Sequence, residues 1–244
     1  MSMRQKEFET LNKIADDYDV SDFDRRMRHF MMRTLRPHLR PGKALEMGCF
    51  QGEFTSLLAG EYPDLTVVDA AESFIEITRR RVGARVKFVL SLFETFQSNQ
   101  LFDAIFLLHV LEHVEDAVAL LAKAKSLLTP TGRVFVIVPN GGAASRQIAV
   151  KMGVLPSSGA LSEADQKHGH RRVYFMDTLQ RDARQAGLRV IESGGIFFKP
   201  LANYQFDRLI GGDVISDAYM EGCYDLGKDL PLLSASLFLV CEKG

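Results

Sequence analysis

The residues of this 244-residue chain that could do chemistry gather in three short stretches. The first is Leu45-Glu46-Met47-Gly48-Cys49-Phe50-Gln51-Gly52-Glu53, which reads as strand, glycine turn and helix. Gly48 lets backbone come close to a ligand, and Gly52 allows tight packing where the helix begins. Glu46 ends the strand. Asp69 follows about twenty residues later, where a carboxylate can accept hydrogen bonds from ribose hydroxyls. The second stretch is His109-Val110-Leu111-Glu112-His113. His109 comes directly after an apolar run, and a neutral imidazole can take a proton near pH 7, so His109 is the candidate general base. In a helical turn His109, Glu112 and His113 would share one face. The third stretch is His168-Gly169-His170-Arg171-Arg172-Val173-Tyr174. Its His and Tyr residues can hydrogen-bond a ligand, and its Arg residues can fork a carboxylate or phosphate. On that reading His168, His170, Arg171 and Tyr174 bind the substrate. On the competing reading the arginines are solvated and the histidines pack on their own loop.

These stretches need elements to hold them in place. Strand-like runs at 43–47, 65–69, 86–90, 103–108 and 133–138 alternate with helical ones at 53–60, 71–81 and 116–128. That order calls for an α/β fold, a parallel sheet with helices on both faces. After Pro139 the rhythm breaks. Residues 140–176 and 199–233 read as irregular insertions around a helix at 177–186 and a strand at 190–198, with a last strand at 236–241. Insertions of this length are usually binding loops or lids. The second holds Asn203, Tyr204, Phe206, Tyr219 and Tyr224, which suit either a flat acceptor or a dimer interface. Residues 1–42 read as a helical lid with apolar stripes through Leu11, Ile14 and Tyr18 and through Phe30, Met31, Leu35 and Leu39, ended by Pro41-Gly42. The expected organisation is one domain, 1–244, with the lid at 1–42, a cofactor-binding core at 43–139 and substrate-side insertions at 140–176 and 199–233.

Composition narrows the function. With 30 Lys and Arg against 31 Asp and Glu, the net charge is -1, which argues against a protein built to grip nucleic acid. No apolar run reaches membrane-helix length, and the charged N-terminal stretch has no signal-peptide core, so a cytoplasmic location is expected. Cys49, Cys223 and Cys241 are odd in number and far apart, which suggests neither a disulfide framework nor a thiolate zinc site. Cys49 near a helix start could have a lowered pKa, or could simply fill the loop. Arg25, Arg26, Arg28, Arg33, Arg36 and Arg40 read as the basic outer face of a helix whose other face packs on the sheet.

The motifs in this order resemble the class I S-adenosylmethionine-dependent methyltransferases, in the small-molecule branch similar to ubiquinone-biosynthesis enzymes. The family's first motif is an acid, any residue, then Gly-x-Gly-x-Gly. Glu46, Gly48 and Gly52 match it, and Phe50 replaces the middle glycine. The runs Phe88–Glu94, Phe102–Asp116 and Leu127–Val136 resemble later landmarks, so the likeness covers about residues 45–138. It implies a Rossmann-like, mostly parallel seven-stranded sheet closed by an antiparallel hairpin. It implies S-adenosylmethionine as cofactor, with S-adenosylhomocysteine as product, held by Glu46, Gly48, Phe50, Gly52, Asp69 and Ala70. Ser91 stands where the family often carries an Asp at the adenine amine, so the adenine would rest on the Leu92 backbone and the Phe93 ring. Tyr18 resembles a segment that folds over the cofactor, with core packing as the competing view. His109 would face the methyl group, and the 168–174 stretch would line the acceptor pocket.

The implied activity is methyl transfer to an O or N nucleophile of a small molecule. Phe50 and Ser91 keep open a cofactor-binding scaffold or regulator without catalysis, and an RNA-modifying enzyme is a further alternative. The His109–His113 run is similar to E-x-x-E-H stretches that hold a divalent metal in some relatives. Here His109 replaces the first acid, and metal-free relatives carry Leu-Glu-His as a helix cap, so no metal is assigned. Were one bound, His168 or His170 would be the natural further ligand. A homodimer is left open.

Overall fold

Strand β1 (Lys43–Met47) is buried at every position after Lys43, as a strand covered on both faces must be. Around it forms one seven-stranded sheet in the order β3-β2-β1-β4-β5-β7-β6. The other strands are β2 (Asp64–Asp69), β3 (Lys87–Leu90), β4 (Phe102–Leu108), β5 (Leu128–Pro139), β6 (Leu188–Phe198) and β7 (Ser234–Lys243). Strands β1 to β5 pair in parallel, and β7 runs antiparallel to both β5 and β6. The computed structural model describes residues 21–244, so Tyr18 and the first helical stripe lie outside the described residues.

The strand order places the ligand crevice. From β1 the chain steps outward to β2 and β3, then returns to lay β4 on the other side of β1. Loops leaving the carboxyl ends of β1 and β4 therefore part in opposite directions, and a crevice opens between them. Gly48 and His109 sit at its two lips.

Helices cover both faces. One apolar core joins α1 (Asp22–Leu35), α2 (Glu53–Glu61), α3 (Glu72–Val82), α8 (Asn203–Leu209) and α9 (Asp217–Asp229) to the sheet. The other packs α4 (Ala117–Leu127) and α7 (Met176–Gln185) on the opposite face. Helix α1 forms part of the first core: Phe23, Met27, Phe30, Met31, Met32 and Leu35 are all buried. Its Phe23 ring stacks on Phe206 at 4.5 Å, and Phe30 stacks on Tyr224 at 4.9 Å. Aromatic pairs of this kind add about 0.5–1.5 kcal/mol each beyond their buried area.

The insertions are more regular than their composition suggests. The first contains α5 (Ala144–Lys151) and α6 (Glu163–Lys167), the latter started by a Ser162–Asp165 capping box. The second contains α8 and α9. In α9 the buried residues Met220, Cys223, Tyr224 and Gly227 form a stripe at helical spacing. Gly227 is needed there because a Cβ would stand 2.5 Å from the Phe197 backbone nitrogen of β6. Phe206 and Tyr224 thus belong to the core, while Tyr204 and Tyr219 stay exposed.

Candidate active site

The carboxyl ends of β1, β2, β3 and β4 open into a cavity of about 240 Å³, lined also by Arg28 of α1 and by His168 and His170. On the β1 side, Gly48 adopts φ 89°, and a Cβ there would come within 2.9 Å of Val110 Cγ2. Its N–H is tied to the Val68 carbonyl at 2.8 Å. Phe50 also has a positive φ, 48°, and forms part of the cavity wall with its ring edge-on to Phe74 at 5.0 Å. Gly52 lies behind the loop against Thr78.

Asp69 ends β2 with its carboxylate in the cavity wall. One oxygen accepts the Cys49 N–H at 2.8 Å and the other the Ala71 N–H at 2.9 Å. Burial raises its pKa, and these backbone donors oppose the rise. The oxygen that takes the Cys49 N–H also accepts the Cys49 thiol at 3.5 Å. Ala70, Leu92, Phe93 and Glu94 continue the wall. Ser91 does not reach it; its hydroxyl donates to the Leu92 carbonyl at 2.9 Å. Glu46 lies beneath the cavity, 2% exposed, and burial pushes its carboxyl up to about 8. Cys49 is buried too. Burial first and Asp69 second push its thiol upward, so it fills the loop and is not an activated thiol.

The β4 side is built from titratable side chains. His109 holds φ 56° while its N–H donates to the Ile137 carbonyl at 2.8 Å. Its Nδ1 is 3.3 Å from Glu112 Oε1, and its buried Nε2 has no hydrogen-bond partner among the described residues. Burial lowers the pKa of His109, against the pull of Glu112. Glu112 is 1% exposed. Burial opposes its charge, yet His109, His113 and His170 around it hold its carboxyl below the usual range. His113 and His170 meet edge to face at 4.7 Å. His170 Nδ1 is 3.1 Å from Asp165 Oδ1, and the other Asp165 oxygen is held by Arg146 Nη1 at 2.9 Å and by the Ser162 N–H at 2.8 Å. His168 lines the cavity beside His170.

One ligand atom each from Glu112, His113 and His170 lies within 4.8 Å of the others, a spacing that could hold a metal ion. Two imidazoles and one carboxylate would favour a transition metal over Mg²⁺. Asp165 would orient His170 from behind in the manner of an outer-shell carboxylate.

Two residues expected at the substrate lie elsewhere. Tyr174 is 2% exposed in the core around α7, where its hydroxyl donates to Asp182 at 3.2 Å. Its backbone bridges Asn140, which turns the side chain away from the crevice. Arg171 clamps the segment by donating its N–H to the Glu112 carbonyl at 2.7 Å, and its guanidinium goes outward to Glu115 at 3.5 Å. Conversely, Arg28, Phe74, Val110 and Val114 line the cavity without having been singled out for it. Arg28 borders the buried Met27 and lies one turn before the buried Met31, so its place at the edge of the apolar stripe was the signal available.

Comparison with known proteins fits this geometry. A family model described as a methyltransferase domain matches residues 20–193. Nodulation protein S of Rhizobium tropici is 38% identical over 117 residues, 45% of this chain and 49% of that protein. The chain thus spans about half the length of that relative. A ubiquinone biosynthesis O-methyltransferase of Xylella fastidiosa (strain 9a5c) is 28% identical over 175 residues, 69% of each chain. Among solved structures, the N-methyltransferase NodS from Bradyrhizobium japonicum WM9, in complex with S-adenosyl-L-homocysteine, shares the fold at TM-score 0.59 and 17% identity, covering 99% of both chains.

Proposed function

Because the chain belongs to the methyltransferase-domain family, we propose that it is an S-adenosylmethionine-dependent methyltransferase acting on an O or N nucleophile of a small-molecule acceptor. The observation that carries this reading is Asp69 beside Gly48 on one side of the crevice: a carboxylate in the cavity wall next to a backbone cradle that a Cβ would fill. Those features fit an adenosine-bearing ligand. Asp69 would accept from the ribose hydroxyls, Leu92 and Phe93 would flank the adenine, and Gly48 would let the sulfur-bearing chain pass over the loop. Bound S-adenosylmethionine supplies an electrophilic methyl group.

The rest falls to the protein. Positioning and exclusion of water supply most of the acceleration. His109, at the lip opposite Gly48, offers its unpartnered Nε2 to the proton of the acceptor nucleophile. Glu112 on its other side favours the imidazolium that results. His168 and His170 supply hydrogen bonds for the acceptor. The relatives named as N- and O-methyltransferases support both nucleophile types. The cavity's size of about 240 Å³ and the net charge of -1 favour a small acceptor over nucleic acid. Three free, buried cysteines suit a reducing compartment, and the cytoplasm is the proposed location. Among the described residues no helix is long and apolar enough to cross a membrane.

The test is calorimetric titration with S-adenosylhomocysteine, with and without EDTA. Binding in the micromolar range or tighter is expected, unchanged by the chelator because the Glu112–His113–His170 cluster stands on the acceptor side. Absence of binding would reduce the reading to a shared fold.

A further inference from the structure

We propose that the acceptor nucleophile is a primary amine, held between Glu112 and His109; this rests on the methyltransferase reading above and selects between its two nucleophiles. The observation is a pair of acceptors without donors. Glu112 is 1% exposed and lines the cavity, yet neither carboxylate oxygen has a hydrogen-bond partner among the described residues. A buried carboxylate is seldom left so, because each unmet acceptor costs about 1–3 kcal/mol. His109 lines the same cavity. Its Nδ1 stands 3.3 Å from Glu112 Oε1, so the ring proton belongs on Nδ1, facing the carboxylate, and Nε2 keeps a bare lone pair. That Nε2 is buried and also unpartnered among the described residues. The described wall carries three acids, Asp69, Glu94 and Glu112, against one arginine, Arg28, and so favours positive charge in the ligand.

Counting donors selects the functional group. A neutral primary amine has two N–H donors and one lone pair. It satisfies Glu112 Oε2 and His109 Nε2 together and still has the lone pair to aim at the methyl carbon. A hydroxyl has one proton. If His109 takes it, Glu112 stays unpaired, and a secondary amine meets the same shortage. In the transfer the nitrogen lone pair forms the new N–C bond. The S–C bond to the methyl group breaks, and its electron pair returns to sulfur, leaving the neutral thioether of S-adenosylhomocysteine. The nitrogen becomes a cationic ammonium beside Glu112, and one of its protons then passes to His109 Nε2. Glu112 therefore attracts a charge that is absent from the neutral amine and grows during transfer, which is where an electrostatic contact speeds a reaction.

The experiment offers a panel of primary amines, each beside its hydroxyl counterpart (benzylamine with benzyl alcohol, cyclohexylamine with cyclohexanol). Methyl-deuterated S-adenosylmethionine is the donor, products are read by mass spectrometry with EDTA present, and S-adenosylhomocysteine affinity is measured alongside. The amines should exceed the alcohols in kcat/KM by at least about 100-fold and should take one methyl group rather than two. Glu112→Gln keeps the shape and loses the charge. It should lower kcat/KM for the amines about 10- to 100-fold and narrow the amine-to-alcohol ratio, with S-adenosylhomocysteine affinity unchanged. Alcohols methylated as well as the amines would overturn the assignment, and so would label on neither while S-adenosylhomocysteine still binds. Both comparisons use wild type and stand even if Glu112→Gln fails to fold. Wild-type amine kinetics in Glu112→Gln would overturn it too. Amine transfer that is lost in EDTA and restored by Zn²⁺ would give the carboxylate to a metal ion and overturn its pairing with the amine. A wild type that does not bind S-adenosylhomocysteine would instead remove the methyltransferase reading, and the amine with it.

Discussion

The two lips of the crevice are made differently. On the β1–β3 side the working parts are backbone and one acid, all within a turn of a strand end: Gly48, Asp69 and Leu92. On the β4 side they are side chains drawn from distant places: His109, Glu112 and His113 after β4, His168 and His170 from the first insertion, and Asp165 and Arg146 behind them. Strand ends are rigid and fixed by the sheet, so they suit a cofactor that never changes. A cluster of imidazoles and carboxylates carried on inserted helices can be exchanged without touching the sheet, and suits an acceptor that differs from one enzyme to the next. If this division holds, each side can be damaged separately.

The largest effect is expected on the acceptor side. His109→Asn, a residue that tolerates the positive φ, should lower kcat by about 10²- to 10⁴-fold with an O–H acceptor. Its S-adenosylhomocysteine affinity should stay near wild type, and a matching loss in binding would blur the two lips into one. Next comes Asp69→Ala, which should weaken S-adenosylhomocysteine about 100-fold by removing the ribose acceptor. Unchanged affinity in calorimetry would sink the role given to Asp69. Asp165→Asn should cost about 1–3 kcal/mol in denaturant unfolding, because Arg146, Ser162 and His170 all lean on that carboxylate. Cofactor affinity should not move.

The smallest effect concerns pH. Glu46 holds its proton up to about 8 in the folded chain, against 4.5 for an ordinary glutamate. The folded state therefore binds more protons than the unfolded one between those values, and stability falls as pH rises through that window. Glu46→Gln should flatten this slope, seen as a larger gain in Tm at pH 8 than at pH 5. Equal gains at both values would show that Glu46 is ionised in the fold.

The same division explains what could be read from the sequence. Glu46, Gly48, Asp69 and the strand–helix alternation are local patterns, and the sheet follows them with the expected parallel strands and closing hairpin. The acceptor side depends on which distant segments meet. His168 and His170 reach the cavity, whereas Tyr174 in the same stretch is turned into the core by its bridge to Asn140. Residue type alone does not distinguish these outcomes. Helix α9 was hidden by its Gly, Asp and Tyr content although Met220, Cys223, Tyr224 and Gly227 recur at helical spacing. Arg28 was hidden among arginines that do face solvent and acids; only the docked rotation of α1 sets it apart.

The position of β7 has a consequence for biosynthesis. It follows β6 in the chain, yet lies between β5 and β6 in the sheet. As the polypeptide leaves the ribosome, β6 has no neighbour to pair with, and the edge of β5 stays open, until residues 234–243 have been made. For that interval the nascent chain presents two unpaired strand edges, Leu188–Phe198 and Leu128–Pro139, the kind of surface that invites mispairing or a chaperone.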